Sequence, residues 1–191
     1  MSRAWPVKDV DPALAVKENS RRVLAVRIAE LYSYEPVIDH PEWSEPLHNM
    51  RIAAKRLRYS LELFEPQFGA VGKKQIERIK AIQEALGDLH DHDVRIDMVG
   101  SELSAASEEH GHRTRADIAA AEADQLEAIV AAALRPPPDD PRRGLIALLG
   151  REHARRRSAY QRFRDLWEEF AAEGMRADLV SLSMTPIAEV R

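Results

Sequence analysis

Cysteine is absent from all 191 residues, which excludes disulfides, thiolate zinc sites and cysteine nucleophiles. Glycine is scarce, at eight residues, and none of them builds a Gly-rich phosphate loop, a GxSxG elbow or a dinucleotide-binding fingerprint. No stretch approaches the ~20 uninterrupted apolar residues of a membrane span, and the opening MSRAWPVKDV lacks the apolar segment of a secretory signal. The expectation is therefore a cytoplasmic protein. What remains is a globular composition, 45% hydrophobic and 31% charged, apolar enough to offset the entropy of ordering a chain of one-domain length.

The eleven prolines fall between long stretches of good helix formers, which leaves little room for strands. This pattern predicts an all-α fold, an antiparallel helical bundle of about six helices. Asp11-Pro12 reads as a cap followed by proline at the first helical position, opening a helix to about Tyr34 with Leu24, Ile28 and Leu31 on its apolar face. A second helix is expected from Ser44 to Glu65, and a third from Val71 to Leu86 with Gly87 as its C-terminal cap. A fourth starts near Asp88 and reaches about Ser107, and an Ala-rich fifth spans Thr114 to Leu134 before the run Pro136-Pro137-Pro138. Asp140-Pro141 repeats the opening signature and begins a last long helix to Glu173, ended by Gly174. One domain over 11–175 is thus flanked by tails, 1–10 and 176–191, the second showing no helical period.

The net charge of −4 argues on its own against a polyanion binder, but the charges are sorted along the chain. Arg142 to Arg164 carries eight arginines against one Glu152, whereas Glu102 to Glu127 carries two arginines against seven acids. Local field matters more than the total when one sign lines a cleft. At about 100° per residue, His48, Arg51, Lys55, Arg58 and Glu62 fall within an arc of about 80°, while Met50, Ala53, Ala54, Leu57, Leu61 and Phe64 gather on another face. One face packs and the other is cationic. Four basic groups precede the first acid, and like charges one turn apart repel, so an external anion is the natural neutraliser.

In the last helix Leu149, His153, Arg156, Tyr160, Phe163 and Trp167 alternate in steps of four and three, the spacing of an inward seam. A charge on such a seam requires either an internal carboxylate or a cavity that receives anions. The cavity alternative would bring Arg156 towards His48, Arg51 or Lys55. Arg151, Arg155 and Arg162 share a neighbouring face, and arginine recognises phosphate in a planar, bidentate way.

His90-Asp91-His92-Asp93 invites a metal-dependent phosphohydrolase reading, but helical neighbours diverge by about 100°, and no HExxH-like pair supplies further ligands. The acids also suit the start of a helix. Neither a metal site nor catalytic machinery is expected, and no cofactor.

The segments LHNMRIAAKRLRYSLELF (Leu47 to Phe64), IKAIQEALGDLHDHDV (Ile79 to Val94) and LLGREHARRRSAYQRFRDLWEEF (Leu148 to Phe170) together resemble the conserved histidine α-helical domain family, CHAD. The resemblance implies a helical domain whose basic side chains bind inorganic polyphosphate. It carries over His48, Arg51, Lys55, Arg58, Lys80, Arg151, and Arg155 or Arg156 as binding residues. Two departures stand out. His90 occupies a place where family members often have arginine, which makes a charge there pH-dependent. Full-length members resemble two bundles related by a pseudo-twofold, whereas one copy of the signature is found here, most like the C-terminal half.

The expected function is non-enzymatic polyphosphate binding in a groove or cavity lined by helix-borne Arg, Lys and His. A phosphate-backbone nucleic-acid binder is the first alternative, disfavoured by the net acidity and by the lack of a helix-turn-helix signature, and a metal-dependent phosphohydrolase using the His90-Asp91 cluster is the second. A homodimer would supply the second cationic wall that a single copy lacks.

Overall fold

The computed structural model describes residues 3–8, 10–135 and 137–184. Its elements are α1 (Val16–Tyr32), a 3-10 turn (Glu35–Val37), α2 (Ser44–Leu63), α3 (Glu65–Ala120), α4 (Leu126–Leu134), α5 (Pro141–Ala172) and α6 (Met175–Met184). The fold is all-α with six α-helices, and no strand occurs among the described residues. The chain divides into two compact units, one of residues 1–90 with 157–191 and one of residues 91–156.

The first unit holds the apolar core. Leu24, Ile28 and Leu31 of α1 meet Leu47, Met50, Leu57 and Leu61 of α2 in one buried cluster with Ile79, Ile82 and Leu86 of α3. Phe163 and Trp167 of α5 and Met175 and Leu179 of α6 complete it. The apolar face of α2 is therefore buried, and its opposite side is left to the cationic residues. Polar groups also hold this unit together. The fully buried carboxylate of Glu30 accepts bonds from Arg27 and Arg56, each at 2.6 Å, tying α1 to α2.

Several boundaries differ from the sequence expectation. The first helix starts at Val16 because Asp11 and Asn19 bond one another across a turn, with Asn19 Nδ2 donating to Asp11 O at 2.7 Å. The N-terminal segment is not a free tail: Trp5 N–H donates to Glu30 at 3.4 Å, and Arg27 donates to Trp5 O at 3.0 Å. Gly87 does not end a helix. The expected third and fourth helices, and the start of the fifth, form the single α3, whose one non-helical residue is Gly69 (φ 56°). Leu86 and Leu89 are buried on either side of Gly87, and that burial outweighs the ~1 kcal/mol by which glycine disfavours a helix interior. The expected fifth helix is interrupted after Ala120, and only Leu126–Leu134 resumes it.

The expected C-terminal tail is corrected as well. Gly174, at φ 78°, takes the left-handed conformation that ends α5. The chain then turns into α6, where Met175, Leu179 and Leu182 recur at helical spacing and are buried. Arg78, 4% exposed, bonds Asp178 at 3.1 Å and also Glu173, and Gln75 reaches the same Asp178 oxygen at 3.1 Å. Residues 185–191 of the expected tail lie outside the described residues.

The second unit is built differently. Val99 and Glu152 are its buried residues among those described, so polar contacts carry much of its internal order. Asp140 does cap α5 as expected, its carboxylate accepting the Arg142 backbone N–H at 2.9 Å. Arg142 also bonds that carboxylate through its side chain and holds the Asp140 pKa down at about 2.

Candidate anion-binding site

Because Met50, Ala53, Ala54 and Leu57 anchor α2 in the core, helical geometry fixes where the remaining side chains stand. His48, Arg51, Lys55 and Arg58 form a half-buried row rising about 15 Å along the helix. The facing row comes from α3. The rings of His48 and His90 lie 4.1 Å apart, tilted by 42°. Three residues on in α2 and three back in α3, a Cβ built on Gly87 would stand 3.5 Å from Arg51 Nε. Two contacts at one register show that the segments run in opposite directions here. Gln83 and Lys80, one and two turns back from Gly87 along α3, are both half-buried.

The row is short of counter-charge. Arg51, Lys55 and Lys80 make no ion pair among the described residues. Arg58 has an i,i+4 contact to Glu62 at 3.4 Å, a geometry that contributes a few tenths of a kcal/mol, roughly. The Arg58 guanidinium also lies over the Tyr59 ring, 4.8 Å from its centroid, with Lys55 Nζ at 5.6 Å. Three buried nitrogens on this face have no hydrogen-bond partner: His48 Nδ1, Arg51 Nε and Arg58 Nε. Burial holds the His48 pKa below its ordinary value, and the charges of His90 and Arg51 add to that effect.

Arg56, between Lys55 and Leu57, belongs to Glu30 and the interior. Its location shows that basic residues of one helix divide between structure and surface.

The arginines of α5 in the second unit have different surroundings. Arg156 does sit half-buried, but its Nε donates to Asp93, so the seam charge is met by an internal carboxylate and not by an anion-receiving cavity. The seam itself begins only at Tyr160, since His153 is exposed. Arg155 donates to the buried Glu152 at 2.9 Å, and His92 Nδ1 donates to the other oxygen at 2.8 Å. Arg151 is exposed and makes no ion pair among the described residues. His90 and His92 turn to different partners, His48 and Glu152, and no three His, Asp or Glu side chains gather as a cation site among the described residues.

Sequence reasoning missed Gln83, whose Oε1 is buried without a partner, and Arg21 of α1, whose Nε and Nη2 are likewise orphaned. The signal for Gln83 was present: Lys80, Gln83, Gly87 and His90 repeat the three-four-three spacing of His48, Arg51, Lys55 and Arg58. Reading Gly87 as a helix end cut that row in two. Arg21 had no such signal, being one base among several on α1.

The model of the CHAD domain matches residues 3–100. It takes in His48, Arg51, Lys55, Arg58 and Lys80, whereas Arg151, Arg155 and Arg156 lie beyond it. No curated protein and no solved structure matches the chain. With just over half its residues covered, including both rows of the candidate site, the chain belongs to the CHAD domain family.

Proposed function

We propose that this chain binds inorganic polyphosphate on the cationic face of α2, without catalysing a reaction. CHAD domains are associated in general terms with polyphosphate binding. The observation that carries the reading for these residues is the absence of carboxylate partners for Arg51 and Lys55 among the described residues, beside buried, partnerless nitrogens on His48, Arg51 and Arg58. Polar groups withdrawn from water without a partner are unfavourable by about 1–3 kcal/mol each. A chain of phosphates satisfies the donors and the charges together, through charge-assisted hydrogen bonds. Lys80 is proposed as a further contact; Arg155 and Arg156 are engaged by the carboxylates of Glu152 and Asp93 in the second unit, where Arg151 is exposed.

A polyphosphate chain carries no bases, so its site needs no stacking platforms of the kind that single-stranded nucleic acids use. Tyr59, the aromatic residue beside the row, is occupied by Arg58 and Lys55, which favours polyphosphate over a nucleic-acid backbone. Titration with long-chain polyphosphate at two salt concentrations tests the reading, with duplex and single-stranded DNA as competitors. Tight, salt-sensitive binding that DNA fails to displace supports it. Equal affinity for DNA and polyphosphate would replace it with a general polyanion binder.

Two copies of this chain are proposed to close on one polyphosphate molecule as a twofold dimer, each supplying one cationic wall. The two rows repel in the absence of ligand, so polyphosphate should tighten the dimer. Sedimentation with and without polyphosphate tests this. A monomer that binds tightly under both conditions would show that one chain forms the whole site.

A further inference from the structure

The contact of His48 with His90 joins two groups that both gain charge on protonation, at one end of a row already rich in cations. We propose that His90 is a further anion-contacting residue, and that polyphosphate binds with uptake of protons by the His48–His90 pair. This rests on the polyphosphate reading of the α2 face.

The physical argument starts from the 4.1 Å between ring centroids. Two imidazolium ions at that separation repel, by about 4 kcal/mol at an effective dielectric constant near 20. This separation therefore disfavours two simultaneous charges on the unliganded pair. The groups around His48 reinforce this. On α2, Arg51 stands one turn away and disfavours the imidazolium, whereas Glu45 favours it. On α3, His90 opposes it. Burial has the largest effect and acts in the same direction, so the His48 imidazolium is disfavoured relative to an isolated imidazole. Asp88, two residues before His90, has Arg162 at 3.8 Å.

A phosphate chain laid along Arg51 and Lys55 reverses the local field. Its oxygens accept from imidazolium N–H groups, and His48 Nδ1, buried and without a partner, is one nitrogen that needs such an acceptor or a donor. The anion screens the repulsion between the rings and favours the charged form of each. By linkage, whatever raises these pKa values in the complex makes binding tighter as pH falls, by up to tenfold per pH unit for each proton taken up. His40, which bonds Glu42 on the exposed loop before α2, is separate from this pair.

The test is isothermal titration of the full chain with polyphosphate several hundred units long, whose end groups are too few to contribute their own titration. At pH 6.5, enthalpies in two buffers of different ionisation heat give the number of protons taken up. The native chain should take up between about half and one proton per site and bind at least about threefold more tightly at pH 6 than at pH 7.5. The double variant His48→Asn, His90→Asn should bind more weakly, with no uptake and no pH dependence over that range. Imidazole resonances of the native protein give a second readout that needs no variant: both rings should titrate at higher pH when polyphosphate is bound. Tight binding with no proton uptake and unmoved imidazole pKa values overturns this proposal and leaves polyphosphate binding standing. No binding at either pH removes both.

Discussion

Glu30 and Arg56 form a 2.6 Å ion pair whose carboxylate is fully shielded from solvent. Arg56 stands beside Lys55 in sequence, yet the two side chains have different work. Removing one partner of a buried pair leaves an uncompensated charge, and Arg27 compensates Glu30 only in part. Arg56→Ala is expected to destabilise the fold by about 2–3 kcal/mol, measured by chemical denaturation. Polyphosphate affinity of the folded fraction should change by less than about twofold, since Arg56 lies off the α2 row.

Arg51→Ala combined with Lys55→Ala should give the opposite pattern. Neither residue has an ion pair to lose among the described residues, so stability should move by no more than about 1 kcal/mol. Polyphosphate affinity should fall at least about tenfold, and its dependence on salt should become shallower as fewer counterions are released. Calorimetric titration at two salt concentrations measures both. Unfolding of the double variant with unimpaired binding by its folded fraction would contradict the assignment.

Arg78 fastens α6 through carboxylates that are themselves nearly half exposed, and its guanidinium packs 5.6 Å from the Phe170 ring centroid. Water can take over the carboxylates when Arg78 is removed, but nothing refills its volume. Arg78→Ala should therefore cost about 2–3 kcal/mol, and Arg78→Met less than about 1 kcal/mol. Denaturant unfolding distinguishes them; equal losses would show that charge, not packing, holds the helix.

Glu152 supplies a pH-dependent contribution in the second unit. The bond from His92 holds its pKa below the ordinary carboxylate range, burial opposes that, and Arg155 lowers it further. A carboxylate with a depressed folded-state pKa contributes stability in full above its unfolded value, and that contribution is lost as pH falls through the folded value. Amide exchange in residues 91–156 should therefore lose protection below about pH 4. In Glu152→Gln the same segment should show less protection at pH 6 and a shallower acid dependence.

Much of the first unit was legible in the sequence because Leu24, Ile28, Leu31 and the α2 series recur at helical spacing and have no other way to leave water. The α2 row followed from the same period. Gly87 misled because its local signal, a helix stop, is weaker than the burial of Leu86 and Leu89 around it. Arg156 could be placed on a seam, but its partner Asp93 lies 63 residues away in sequence, and spacing within one helix cannot choose between a carboxylate and a cavity. The α6 period of Met175, Leu179 and Leu182 is short enough to pass for chance until Arg78 is seen holding Asp178.

Gly87→Ala isolates the closeness of the two rows. An added methyl at ordinary contact distance from Arg51 Nε should raise helix stability by up to about 1 kcal/mol while restricting how far the Arg51 guanidinium can turn towards a ligand. Higher thermal stability with weaker polyphosphate binding is the expected combination, read by thermal unfolding and titration.

The cations resting on Tyr59 bear on how tightly a loose polymer can be held. A free lysine or arginine side chain samples many rotamers, and immobilising each one can cost up to about 2 kcal/mol of entropy. The ring narrows that sampling in the unliganded protein, so part of the ordering precedes the encounter. Lys55 and Arg58 thus meet the anion already aimed, and a chain of phosphates with many conformations of its own to surrender faces a stiff surface instead of two wandering charges.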